Sequence, residues 1–204
     1  KPLMKSNIKI VDLSADYRLD LDLYEKHYVD HSDPFNLKNA VYGLSEFYKK
    51  DIQKSQLVAN PGCYPTASLL GFLPFSPYVD NDAPLFIDAK SGVSGAGKKL
   101  SNTTHFVNVS DNFFAYNPMN HRHAPEIKEK ITKLFNQNIN VIFVPHLLPL
   151  TRGMQSSMYV VLNKNIDAKA LLKNFYKDDP FIRIKDEPVQ IKNVGGTHFC
   201  DIFV

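Results

Sequence analysis

The sequence is poor in cysteine. Its two, Cys63 and Cys200, allow at most one bridge in 204 residues, far short of a disulfide framework. A reducing compartment, the cytoplasm, is the expectation, and there a free thiol is available for chemistry. Long apolar runs are missing too: nothing approaches the ~20 uninterrupted apolar residues of a membrane span. The opening KPLMKSNIKIVD has no apolar stretch of the kind a signal peptide carries. Nor does one sign of charge dominate. With 24 basic and 21 acidic side chains the net charge is +3, and the Lys and Arg are scattered, which argues against a nucleic-acid groove or a membrane-binding face.

What is present is ordinary globular material, 44% hydrophobic and 22% charged. The run IKIVDL predicts a strand, and SADYRLDLDLYEKHYVDHSDPF after it has little periodicity. AVYGLSEFYKKDIQ mixes helix and loop signals, and LVAN predicts a short strand stopped by Pro61-Gly62. PTASLLGFLPF suits a helix, its proline tolerated in the first turn. APLFIDAKSGVSGAG is a buried-strand pattern opening into a glycine-rich loop, and THFVNVSDNFFAYN has strand-type residues with partial alternation. APEIKEKITKLF is the clearest helix: Ile127, Ile131, Leu134 and Phe135 recur at helical spacing behind Pro125 and Glu126. NVIFVPHLLPL and MQSSMYVVL predict strands around the turn TRG, DAKALLKNFYK a capped helix, and FIRIK and HFCDIFV the last strands. Strands often follow strands with helices only at intervals. That order predicts an α+β fold, a mixed and largely antiparallel sheet covered by helices.

The chain opens without an initiator Met, almost on a strand, and closes on HFCDIFV with no polar tail. Domains tend to end in frayed polar residues, so a piece of a longer protein is expected.

Four stretches could carry chemistry. Cys63 sits between a strand-like and a helix-like run. A sulfur at a helix start lies near unpaired N–H groups and the positive end of the helix dipole, both of which favour thiolate. A thiol with the reference pKa of about 8.5 is roughly 3% ionised at pH 7, and one at about 6.5 roughly 75%. Lone cysteines are more often buried and inert, and local features leave both readings open. In SGVSGAG, Ser91 to Gly97, three glycines let backbone approach an anion or a flat ring closely. A plain flexible turn explains it equally well. NHRHAPEI places His121 and His123 around Arg122 ahead of a helix whose first turn holds Glu126. Imidazoles serve as acid–base groups near neutral pH, and a guanidinium grips carboxylate or phosphate in bidentate fashion. The bland alternative is a solvated basic cap. No H-x-x-x-H or C-x-x-C accompanies these two histidines, so no metal is expected. In VPHLLPLTRG, His146 and Arg152 read alone as a core histidine and a surface arginine.

VANPGCYPTA, KSGVSGAGKK, AYNPMNHRHAPEI, VPHLLPLTRG and GGTHFCDI occur in the order and approximate spacing of the N-acetyl-gamma-glutamyl-phosphate reductase family, which is related to aspartate-semialdehyde dehydrogenase. KIVDLSADYRL and AVYGLSE resemble that family as well, so the likeness covers nearly the whole chain. The resemblance implies a glyceraldehyde-3-phosphate dehydrogenase-like catalytic domain with remnants of a Rossmann domain at the N-terminus. It implies residues 1–60 as the edge of the NADP-binding domain and 61–204 as a catalytic and dimerisation domain. It implies Cys63 as the nucleophile toward a small-molecule acyl phosphate, with a thioester then reduced by NADPH. His121 is the first choice for the proton-handling histidine, His123 the second and His146 an outside candidate. Arg122, Glu126, His146 and Arg152 are implied around the substrate, and Ser91, Gly92, Ser94 and Gly95 beside the nicotinamide. A homodimer or homotetramer is implied, with neither nucleic acid nor membrane as partner.

The sequence departs from the family in three places. The glycine-rich dinucleotide fingerprint of a first βαβ unit is missing. The helix that follows the FCDI strand in the family is not in the sequence, and GGTHFCDIF differs from the usual Gly-Ser-Asn-Phe-Cys form, leaving His198 without a role. The fragment alone is therefore expected to be inactive. Three rival readings stand beside this one: another acyl-phosphate reductase such as aspartate-semialdehyde dehydrogenase, a cofactor-free cysteine hydrolase, and a non-enzymatic interaction domain with a structural Cys63.

Overall fold

A computed structural model describes residues 3–136 and 138–204. The chain divides into two compact units, one up to Thr66 and one from Ala67 to Val204.

The first unit carries strand β1 (Ile10–Asp12), helices α1 (Leu21–His27) and α2 (Pro34–Leu37), strand β2 (Ala40–Tyr42), helix α3 (Ser45–Lys54) and strand β3 (Leu57–Ala59). Its strands form a parallel sheet in the order β1-β3-β2, with Asp12 and Tyr42 both opposite Ala59. Parallel neighbours need crossover connections, which the helices supply. Leu19, Tyr24, Tyr42, Leu44 and Leu57 are buried in it. The segment without periodicity, from Ser14 to Phe35, is held by polar side chains instead. Tyr24 donates to Asp16 Oδ1 at 2.9 Å and stacks on Tyr28, and Asn36 donates to Asp33 Oδ2 at 2.7 Å.

Helix α4 (Cys63–Phe72) begins in the first unit and ends in the second. The second unit continues with strand β4 (Leu85–Gly92), helix α5 (Phe106–Val109), strand β5 (Phe114–Ala115), helix α6 (His123–Phe135) and strands β6 (Val141–Leu148) and β7 (Met154–Tyr159). Helix α7 (Ala168–Phe175) and strands β8 (Ile182–Ile184) and β9 (Cys200–Ile202) complete it. The main sheet runs β5-β6-β4-β7 and is mixed: β4 pairs parallel with β6 and antiparallel with β7, and β5 pairs antiparallel with β6. Strands β8 and β9 form a separate parallel pair.

The two faces of the main sheet differ. Leu85, Ile87 and Ala89 of β4 and Phe143, Pro145 and Leu147 of β6 are buried on an inner face. Helix α6 packs on β6 there through Ile127 and Ile131, both buried. The Ala67–Phe72 part of α4 covers the same face at β7, where Ser68 Oγ lies 3.4 Å from Ser156 Oγ. Gly71 sits so close to Met158 that a Cβ would come within 2.2 Å of its methyl group. Each fully buried aliphatic or aromatic side chain of such a face contributes about 1.5–3 kcal/mol of transfer free energy. On the open face Phe86 and Tyr159 are exposed opposite one another, and Asp88, Lys90 and His146 follow along it.

Two expectations fail locally. β6 and β7 are not a hairpin around Thr151-Arg152-Gly153, because β4 lies between them. The connection instead crosses the end of β4. Strand-like THFVNVSDNFFAYN yields one helical turn, α5, and a two-residue strand. Its asparagines explain this: Asn108 Nδ2 donates to the Asn102 carbonyl at 2.7 Å and Asn112 Nδ2 to the Asn108 carbonyl at 2.9 Å. Such side-chain bonds to nearby backbone compete with a sheet ladder. Among the described residues no helix is long and apolar enough to cross a membrane.

Candidate active site

Cys63 is the first residue of α4 and is exposed. Strand β3 ends at Ala59, and Asn60-Pro61-Gly62 turns the chain directly into the helix. The Gly62 carbonyl accepts from the Thr66 N–H at 3.0 Å and from its hydroxyl at 2.9 Å, so Gly62 caps the first turn. The thiol is thus presented at the helix start rather than packed in the core. The one bridge that two cysteines allow is not formed.

The histidine cluster lies in the second unit at the start of α6. The His123 backbone N–H, an orphan donor of the first helical turn, donates to His121 Nδ1 at 3.1 Å. The His121 ring meets Phe143, Tyr116 and His123 edge-on, with centroids 5.4, 5.4 and 4.8 Å away. Burial pushes its pKa down from the ordinary 6.5 to about 4, with the Arg122 guanidinium adding to the effect. Near neutral pH the ring is therefore uncharged. Because Nδ1 accepts a hydrogen bond, the ring hydrogen sits on Nε2, and His121 offers a neutral N–H donor. Arg122 is exposed beside it, while Glu126, one turn into α6, is fully buried.

His146 is not part of this cluster. Phe143 faces the interior, whereas His146, three residues along the same strand, falls on the open face by the two-residue alternation of a strand. There its Nδ1 lies 3.1 Å from Asp88 Oδ1, Phe113 stacks on it at 4.9 Å, and Lys90 Nζ binds the other oxygen of Asp88. The register pairs His146 with Lys90, so this trio belongs to the outer surface of the sheet.

The glycine loop and Arg152 do come together. The backbone N–H groups of Gly92, Val93 and Ser94 donate to the carbonyls of Gly153, Leu150 and Thr151 at 2.9, 2.9 and 3.1 Å. A Cβ on Gly92 would meet the Leu150 carbonyl at 2.7 Å and the Arg152 nitrogen at 2.9 Å, so only glycine permits this approach. Ser91 is buried beneath the loop and its hydroxyl donates to the Gly92 carbonyl at 2.9 Å. Ser94, Gly95, Ala96 and Gly97 form its exposed rim. Arg152 is exposed on the connection that seals the loop.

Sequence reasoning missed the groups that set these environments. Phe143 and Tyr116 wall the His121 ring, and Asp88, itself bound by Lys90, holds His146. Only the alternation of β6 could have separated the two histidine sites beforehand. No His/Cys/Asp/Glu group suited to a metal is found among the described residues. A depression of about 970 Å3 in the first unit, bordered by Asp33, Asn36, Lys54 and Gln56, includes none of the candidate residues.

Comparison with known proteins agrees with the motifs. The chain is 59% identical over 203 residues to N-acetyl-gamma-glutamyl-phosphate reductase of Sulfurovum sp., covering 100% of this chain and 61% of that protein. It is 60% identical over 199 residues to the enzyme of that name from Campylobacter hominis, covering 98% and 59%. Against the one from Methanococcus maripaludis it is 43% identical over 206 residues, covering 98% and 60%. The chain thus spans about three-fifths of the length of these curated relatives. Among solved structures, aspartate semialdehyde dehydrogenase II of Vibrio cholerae matches with a TM-score of 0.65 at 15% identity, over 95% of this chain and 61% of that one. A probable aspartate-semialdehyde dehydrogenase from Pseudomonas aeruginosa matches at 0.62 and 13%, over 96% and 61%. These two likenesses concern the fold alone, and they bear out the expected α+β class with a mixed sheet. The pairing is not largely antiparallel, since among the described strands β1–β3, β2–β3, β4–β6 and β8–β9 pair parallel and only β4–β7 and β5–β6 antiparallel. The family described as "Semialdehyde dehydrogenase, dimerisation domain" matches residues 63–204, starting on Cys63 itself, and the chain belongs to that family.

Proposed function

We propose that the full-length protein reduces N-acetyl-gamma-glutamyl phosphate to N-acetylglutamate gamma-semialdehyde and phosphate, with NADPH as the reductant and Cys63 as the nucleophile. Arginine biosynthesis is the corresponding pathway and the cytoplasm its place, since a reactive free thiol needs reducing surroundings. One observation carries the reading: Cys63 is an exposed thiol on the first residue of α4, at the end of an Asn-Pro-Gly turn, in a chain 59% identical to a reductase of this name.

In this reading the Cys63 thiolate attacks the acyl carbon. A C–S bond forms, the C–O bond to phosphate breaks, and phosphate leaves with the electron pair. Splitting the displacement through a thioester suits a thiolate, which both attacks and departs well. When bound, NADPH supplies the hydride that reduces the thioester, and the C–S bond then breaks to release the aldehyde and the thiolate. His121 serves as a neutral Nε2–H donor, first toward sulfur and then toward the oxygen that gains charge on the acyl carbon. A depressed pKa suits a donor that stays uncharged rather than a stable imidazolium. His123 remains the second candidate. His146, paired with Asp88 on the open face of the main sheet, remains the outside candidate.

Arg122 and Arg152, both exposed, are proposed to grip the carboxylate and phosphate of the substrate. Buried Glu126 would act only through α6. Ser91, Gly92, Ser94 and Gly95 are proposed to border the nicotinamide. The fit is steric: Gly95 and Gly97 leave the exposed rim without bulky side chains, and a Cβ on Gly97 would meet nothing within 4 Å. Residues 1–60, which carry the parallel sheet, are proposed as the edge of the nucleotide-binding domain. Residues 61–204, Cys63 included, are proposed as the catalytic and subunit-contact domain of a homodimer or homotetramer.

The test is a comparison of phosphate-dependent NADP reduction by the full-length protein on N-acetylglutamate semialdehyde and on aspartate semialdehyde. The proposal expects the first to be preferred by at least about 100-fold in kcat/KM, since one extra methylene is worth about 1–3 kcal/mol and a site built to hydrogen-bond a polar group discriminates by more. Preference for the aspartyl substrate would assign the rival reductase, and thioester hydrolysis with no nucleotide requirement would assign a hydrolase.

A further inference from the structure

We propose that Arg18 is the positioning residue of the nucleophile, a clamp that fixes the Asn60-Pro61-Gly62 turn from which Cys63 is presented. This inference rests on the reading of Cys63 as nucleophile given above.

All of its geometry lies within the first unit. The three parallel strands end level with one another, Asp12 and Tyr42 flanking Ala59 in register. The turn into α4 leaves from the middle strand, at the carboxyl end of the sheet, where open α/β sheets place their functional loops. Three contacts hold it. The Asn60 N–H donates to the Asp12 carbonyl at 2.8 Å. Arg18 Nε donates to the Asn60 carbonyl at 2.7 Å and its Nη2 to the Leu13 carbonyl at 2.9 Å. On the other side Gly43 donates to the Ala59 carbonyl at 2.8 Å. A Cβ there would stand 2.9 Å from Val58 Cγ1, 3.1 Å from the Ala59 carbonyl and 3.3 Å from Pro61 Cδ, so the turn is wedged against bare backbone.

Arg18 is only 9% exposed. Placing a guanidinium there to bind carbonyls costs desolvation that a neutral side chain would avoid. What it gains is a rigid fork: two donors in one plane tie the exit of β1 to the Asn60 carbonyl, 42 residues beyond Arg18 itself. From that carbonyl to Cys63 the chain has little freedom, since Pro61 fixes its own φ and Gly62 is already the cap of α4. Displacing Asn60 therefore moves the sulfur relative to the first-turn N–H groups and the helix dipole, whose influence fades within one turn.

The experiment measures iodoacetamide alkylation of Cys63 against pH in the full-length protein, by peptide mass spectrometry, with Cys200 in the same digest as internal reference. It needs neither substrate nor cofactor. The variants are Arg18→Lys, which keeps the charge but not the planar two-carbonyl fork, and Gly43→Ala, which presses on Pro61 from the opposite side. The expected result is an upward shift of about one unit in the Cys63 midpoint, which from about 6.5 to about 7.5 reads as about threefold slower alkylation at pH 7 and about tenfold slower at pH 5. The Cys200 rate stays unchanged, and in turnover kcat falls while KM does not. Folded variants whose Cys63 profiles superimpose on the parent's would overturn the proposal, and so would loss of fold in both, which makes the contacts purely structural. The parent profile separates the two claims. A Cys63 midpoint at or above that of free cysteine sinks the nucleophile reading itself. A depressed parent midpoint with unaffected variants sinks the clamp alone.

Discussion

Acidification should weaken the α6 entrance through one side chain. His121 Nδ1 accepts the His123 N–H at 3.1 Å, and its ring is walled by Phe143 and Tyr116. A proton on Nδ1 breaks that bond and places a charge among rings, next to Arg122. The folded pKa of about 4 lies below the 6.5 of the unfolded chain, so between these values the unfolded state binds more protons. Stability from this group is therefore complete above pH 6.5 and is lost progressively as pH falls toward 4, with no further loss below. A gap of roughly 2.5 units at about 1.36 kcal/mol per unit sets an upper bound near 3 kcal/mol. The ring keeps some solvent contact, which reduces the figure to about 1.5 kcal/mol. The assay is a histidine NMR titration of the full-length protein, with the His121 resonance assigned by its absence from His121→Asn, and urea unfolding of both proteins from pH 7 to 4. The difference in stability between them should shrink by about 1.5 kcal/mol over that range. A His121 midpoint at or above 6.5, or a pH-independent difference, refutes the reasoning.

Other consequences are local. Asp167 caps α7 by accepting from the Ala170 N–H at 2.9 Å, so Asp167→Ala should cost about 1 kcal/mol in chemical denaturation. The Tyr176 hydroxyl donates to the Leu70 carbonyl at 2.5 Å in a buried setting, and Tyr176→Phe should cost about 1–2 kcal/mol in the same assay. Phe143→Ala removes a fully buried ring and should cost about 3–5 kcal/mol. The same variant should raise the His121 midpoint toward 6.5, since it opens the wall that keeps water away, and the NMR titration reads this directly.

Elements with strong periodicity were legible in the residues. Ile127 and Ile131 reach the core as the spacing of α6 requires, and Asp167 caps α7 as its position predicts. Two kinds of segment were not legible. In α6, Glu126, Glu129 and Lys130 are buried although their type predicts a solvated face, because Lys130 meets Glu129 at 2.5 Å inside the fold. Burial pushes the Lys130 pKa down while Glu129 opposes the shift, a tertiary effect that no helical wheel contains. From Ser14 to Phe35, order comes from polar contacts such as Tyr17 hydroxyl to Asp33 at 3.2 Å and His31 to the Asp16 carbonyl at 2.6 Å, which have no period. The site was legible in part. Cys63, the His121–His123 pair and the glycine loop stand out as residue types, whereas the separation of His146 follows only from counting sides along β6. Arg18 gave no local signal, because its partners are main-chain carbonyls.

The central claim is that Cys63 carries the acyl group. The full-length protein mixed with N-acetyl-gamma-glutamyl phosphate and no nucleotide should gain one N-acetylglutamyl group on the Cys63 peptide in intact and peptide mass spectra. That adduct should be removed by hydroxylamine, be reduced when NADPH is added, and be absent from Cys63→Ser. Turnover that persists in Cys63→Ala, or an acyl group found on any other residue, contradicts the account.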